Sequence, residues 1–120
     1  MMNIGLGHKI VSGAILLPPN CGDITAKETI IEIRDTSLID AASVCISIFK
    51  IGNVKLSPNS KIPFNITIPM PPAGKEYSFR VQINVSDNGT LTQGDLVSFQ
   101  RHSVSPNNDN LEIIIPVQVV

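Results

Sequence analysis

The chain has no tryptophan, one tyrosine and four phenylalanines among its 120 residues. With so few rings, aliphatic side chains must fill most of any interior. Ile and Val dominate that supply, and their branched Cβ atoms are stiff at χ1 and pack well on a pleated surface. The shortage also weighs against a carbohydrate site, which stacks sugars on exposed rings: the pattern sends Tyr77 and the phenylalanines inward, except Phe99 and Phe49. Neither sign of charge is in excess, with nine Lys plus Arg against ten Asp plus Glu. No basic run is present of the kind that displaces counterions from phosphates, so a nucleic-acid partner is not expected. Long apolar runs are missing too. The longest, such as Ala14 to Leu17 and Ile113 to Ile115, fall far short of the roughly 20 residues that span a bilayer as a helix.

The chain's length fits one domain, residues 1–120, with one core. Strict alternation runs from Lys75 to Ser86, where Tyr77, Phe79, Val81, Ile83 and Val85 take one face. Ser78, Arg80, Gln82, Asn84 and Ser86 take the other, the signature of a half-buried antiparallel strand. Lys61 to Ile68 repeats it, with Ile62, Phe64, Ile66 and Ile68 inward. Pro63 in that run has no N–H to give a ladder and marks an edge strand or a strand start. Further strands are expected at about 8–17, 27–35, 43–51, 90–101 and 111–120. Between them lie clusters of turn formers, among them Ser57-Pro58-Asn59-Ser60, Pro69 to Gly74 and Asp87-Asn88-Gly89, the last a hairpin signal. No helical periodicity survives for ten residues, and a single helical turn near Ser37 to Ala42 is the most that is expected. The expected fold is therefore all-β: a seven-strand antiparallel sandwich, immunoglobulin-like or transthyretin-like, with a small open barrel as the alternative.

The chemistry-bearing residues are few. Cys21 and Cys45 allow one bridge, or two free thiols in or near the core, the reading favoured here because free cysteine is among the most buried residue types. His8 and His102 have no neighbour at metal-ligand spacing, and structural zinc asks for four Cys or His ligands. Asp87-Asn88 and Asn107-Asn108-Asp109-Asn110 carry oxygen ligands but read as turn chemistry. No GxSxG elbow, phosphate loop or paired-carboxylate motif is present. No residue is singled out as catalytic, cofactor-binding or metal-ligating, and no enzyme or cofactor is expected. Three triplets starting at Asn65, Asn84 and Asn88 match the glycosylation acceptor pattern, and the alternation places Asn65 and Asn84 outward. Ile10 to Leu17 followed by Cys21 could suggest a lipoprotein signal, but Pro18-Pro19-Asn20 before the cysteine fits a first strand and its exit turn.

One set of landmarks carries a resemblance. They are Val11-Ser12-Gly13, Leu17-Pro18-Pro19, Ile31 to Ser37 with Asp40-Ala41, Ile62-Pro63-Phe64, and Tyr77 to Asn84 followed by Gly89-Thr90-Leu91. In order and spacing, from about Val11 to Val119, the chain resembles the YbaY and YscW-like lipoprotein family, which includes the type III secretion lipoprotein chaperones known as pilotins. The resemblance implies a small β-sandwich of the bacterial cell envelope or periplasm, and a protein or peptide partner such as the C-terminal segment of a secretin. The family's lipobox cysteine has no counterpart near the start of this sequence. The expected function is a noncatalytic, chaperone-like module that takes an extended peptide at a sheet edge or in a cleft. The strands holding Pro63 and Pro116 are the edge candidates. A structural or adhesion-type sandwich is the alternative.

Overall fold

The computed structural model describes residues 8–35, 44–71, 76–86, 93–99, 102–104 and 112–120. The two segments of plainest alternation become strands β4 (Lys61–Pro69) and β5 (Tyr77–Asn84). The other strands are β1 (His8–Leu16), β2 (Ile24–Asp35), β3 (Val44–Leu56), β6 (Leu96–Ser98), β7 (His102–Val104) and β8 (Glu112–Val119). No helix occurs among the described residues. The helical turn expected near Ser37 to Ala42, the Asp87-Asn88-Gly89 turn and the Asn107 to Asn110 loop lie outside them.

β2 and β3 are longer than their sequence signals because each supplies the other's ladder from Ile24 opposite Leu56 to Asp35 opposite Val44. Two irregularities bend this hairpin. At one end, Ile33 pairs with Ser47 but Arg34 pairs with Cys45, and the extra residue, Ile46, packs against the core. Further along, Asn53 sits at φ 49, a left-handed conformation that Asn tolerates better than most residues. Phe49 and Ile51 face the buried Ile31 and Thr29 on one side of this point, and Val54 faces the buried Ala26 on the other. The inward parity has therefore shifted by one residue across Gly52 and Asn53.

Of the strand expected at 90–101 the described residues show the short β6, and β7 begins just beyond that range on the same flank of β5. Val97 pairs with Gln82 and His102 with Phe79, so the chain takes five steps where β5 takes three. Between them the Ser98 hydroxyl accepts the Val81 N–H at 2.9 Å, standing in for a ladder carbonyl.

The strands run in the order β3-β2-β5-β6-β8-β1-β4, with β7 continuing along β5. All pairings on this path are antiparallel except β1 with β8, which are parallel. β8 pairs with β1 through Pro116 and with β6 from Val117, so one strand carries the sheet around a corner. Pro116 is thus inside the sheet, not on an edge strand as the sequence suggested. It is tolerated because the ladder to β1 ends at it and the ladder to β6 begins after it. Pro63 does lie on an edge: β4 is the last strand of the path and pairs with β1 alone. The result is a mostly antiparallel, nearly closed, barrel-like sandwich.

The core is aliphatic, as the composition demands. Ile15, Leu17, Ile31, Ile33, Leu56, Ile68, Ile83, Leu96 and Ile115 are almost wholly buried. Phe64 of β4 and Phe79 of β5, tilted at 40° with ring centroids 6.4 Å apart, join the two flanks of the barrel. Gly13 makes room for that join. A Cβ there would collide with the Ile113 carbonyl oxygen of β8 and come within 3.0 Å of the Phe64 ring, so the parallel pairing of β1 and β8 requires glycine. Thr29, on a central strand between Ile83 and Ile51, buries a hydroxyl with no partner.

Candidate functional site

The barrel fails to close at one place. β3 pairs with β2 and β4 with β1, and the two ends of the strand path face one another without a ladder. They are joined by Ser57–Ser60, a turn in which Asn59 adopts φ 60 and the Ser60 hydroxyl donates to the Ser57 carbonyl at 2.6 Å. This turn is pinned to the exit of β1: Leu17 N–H donates to Ser60 O at 2.9 Å and Asn59 N–H to Pro18 O at 3.4 Å. The seam between β3 and β4 is therefore held shut at the turn and open along its length.

Open edges leave two kinds of valence. Each unpaired strand edge presents backbone N–H and C=O groups that a further strand could satisfy. The side chains that would meet beneath a closed seam are also only partly covered: Ile46, Phe49 and Val54 of β3 and Ile66 of β4 pack on the core without being fully buried. On the outer side, Ile48 is half exposed, at 51%, and Lys50, Lys55, Lys61 and Pro63 are exposed.

A second apolar feature adjoins β4 on the outer surface. Small Ala14 leaves a cup of about 380 Å³ between Pro63 and Ile114. A neighbouring hollow of about 350 Å³ is framed by Leu16, Pro18, Pro116 and the half-exposed Phe99. Phe99 is the exposed ring that the alternation anticipated, and Phe49 is the half-covered one. Phe64, Phe79 and Tyr77 are inside.

The remaining sequence candidates are dispersed. His8 opens β1 opposite Pro69, and His102 opens β7 opposite Phe79. Among the described residues no three His, Cys, Asp or Glu side chains gather as a metal site would require. Both cysteines are free, and they differ: Cys21 is buried, whereas Cys45 is exposed rather than in or near the core, because it pairs with Arg34, which the alternation of β2 puts on the face opposite the buried Ile33. Burial, with a smaller contribution from the Asp23 carboxylate, pushes the Cys21 thiol above its ordinary pKa, and the thiol donates to the Gly22 carbonyl. Asn65 is exposed as expected, but Asn84 is buried. The Gln82 side chain donates to its Oδ1 at 2.9 Å, and β2 pairs alongside at Glu28. The outer face of β5 is instead held by charge, with Glu32 of β2 bridging Arg34 at 3.2 Å and Arg80 at 3.5 Å.

No family model matches the sequence, and no curated protein is similar to it. A solved structure is: an alternative pilotin from the type II secretion system of Vibrio cholerae, with a TM-score of 0.69 over 94% of this chain and 97% of that one. The chain has a pilotin's fold. At 14% identity the likeness is one of architecture. The open seam has no counterpart among the sequence signals beyond Pro63, because an unpaired edge is a property of strand order, and strand order is not written in any one strand.

Proposed function

We propose that this protein is a noncatalytic, pilotin-like binding module of the bacterial cell envelope that receives an extended segment of a partner protein, such as the C-terminal segment of a secretin. The observation that carries the reading is the seam itself: two neighbouring strands, β3 and β4, each with an unpaired edge, above half-covered apolar side chains. Strand addition at such an edge draws its affinity from main-chain hydrogen bonds and its specificity from alternate side chains. It needs no polar constellation, which agrees with a sequence in which none was found. The shared architecture with a pilotin and the family resemblance of the sequence both support this reading.

The test is amide hydrogen exchange on the purified protein, alone and with synthetic peptides that copy secretin C-terminal segments. Occupancy of the seam slows exchange along the open edges of β3 and β4 while leaving the β2–β5 ladder unchanged. Protection confined to other strands, or no protection at saturating peptide, refutes the reading.

A further inference from the structure

The charges on the two edge strands are not those of the rest of the chain. From Val44 to Pro69 the sequence has three charged residues, Lys50, Lys55 and Lys61, and no Asp or Glu. The remainder then holds six of the nine basic residues against all ten acidic ones. All three lysines are exposed. They lie opposite Ile30, Thr25 and Leu16 on the paired side, so no acid faces any of them directly across a ladder. The diagonal acids are Glu28 and Glu32 beside Lys50 and Asp23 beside Lys55, and of these Glu32 is engaged by Arg34 and Arg80.

Their orientation matters as much as their sign. Each lysine follows or precedes an inward residue: Lys50 follows Phe49, Lys55 follows Val54, and Lys61 precedes the buried Ile62. The alternation of a strand places all three on the outer rim of the seam, above its half-covered apolar floor. A strand entering the seam would turn its own alternate residues the same two ways, one set onto Phe49, Val54 and Ile66, the other beside the lysines.

We propose that the β3–β4 seam selects an extended segment in which apolar and acidic residues alternate. This rests on the reading of the protein as a strand-accepting module and specifies the chemistry of its partner. The apolar positions close over the floor, and the carboxylates pair with Lys50, Lys55 and Lys61. Lysine on an edge strand also discourages indiscriminate pairing, and here the two effects cooperate, since the same charges that repel a basic or purely apolar strand admit an acidic one.

The experiment uses three ten-residue peptides with the same alternating valines and Glu, Gln or Lys between them. Binding is measured by fluorescence anisotropy at low and high salt, and the site is located by amide exchange. Three exposed ion pairs amount to a preference of about tenfold for the Glu over the Gln peptide at low salt, shrinking as salt screens them. In the Lys50→Gln, Lys55→Gln, Lys61→Gln triple variant that preference vanishes while protection of β3 and β4 persists, and a circular dichroism spectrum checks that the fold is intact. Equal binding of all three peptides at the seam overturns the charge selection and leaves strand acceptance standing. Absence of seam protection with every peptide overturns both. A concentration-dependent dimer, detected by sedimentation, that protects β3 and β4 overturns the proposal in favour of a second copy as occupant.

Discussion

Gly13→Ala offers the sharpest check on how the barrel is joined. The added methyl would meet the Ile113 carbonyl oxygen below any tolerable contact distance and approach both the Ile113 Cγ1 and the Phe64 ring at 3.0 Å. Of these three neighbours, a ring edge can tilt aside, but a backbone oxygen held in a parallel ladder can move only if β8 moves with it. Overpacking of this kind costs about 1–3 kcal/mol, and the rigid obstacle places Gly13→Ala toward the upper part of that range. For a chain of this length, ~2.5 kcal/mol corresponds to a fall of roughly 10 °C in Tm. Thermal unfolding followed by far-ultraviolet circular dichroism measures it, with urea unfolding as the isothermal counterpart. The second measurement is Phe64→Leu, alone and combined with Gly13→Ala. Since the carbonyl is the main obstacle, the smaller Leu should recover only a minor part of the loss, so the coupling between these two contacting sites should stay well below the cost of Gly13→Ala itself. A Gly13→Ala protein with an unchanged Tm, or one fully rescued by Phe64→Leu, would refute the claim that the β1–β8 approach dictates glycine.

Two further outcomes follow from buried groups. Thr29→Val replaces a buried, unpartnered hydroxyl between Ile51 and Ile83 with a methyl of similar size, and should raise stability by about 1 kcal/mol in urea unfolding; destabilisation would show that the hydroxyl is satisfied. With Ellman's reagent near pH 8 the native protein should show one fast thiol, Cys45, and one slow thiol, Cys21. Because the Cys21 pKa is raised on folding, the neutral thiol is favoured in the native state. Its contribution is fully present below the pKa of an unfolded cysteine, about 8.5, and is lost as pH climbs through the higher native value. Stability should therefore decline at alkaline pH, and Cys21→Ala should flatten that limb of the profile.

What the chain's own pattern determines here is the all-β class, the places of most strands and the two faces of the clearest ones. Alternation in β4 and β5 is a local property, since side chains point to opposite faces at every step, and Ile62, Phe64, Ile68, Phe79, Val81 and Ile83 are buried where the pattern puts them. Pro63 marks an edge from sequence because a missing N–H is also local. Pro116 carries the same chemistry and sits inside the sheet, because its tolerance depends on where β8 changes partner, which is decided by strands about 20 and 100 residues earlier in the chain. The succession of β6 by β7 along the same flank of β5, with the Ser98 hydroxyl taking the Val81 amide, is likewise a matter of tertiary pairing. Asn84, whose Oδ1 accepts from the Gln82 side chain, is buried against the alternation. The three lysines are legible as charges, but their gathering on one rim is not. That follows from β3 and β4 becoming the two unpaired ends of a seven-strand path, and only the closure of the other pairings leaves those two edges facing each other.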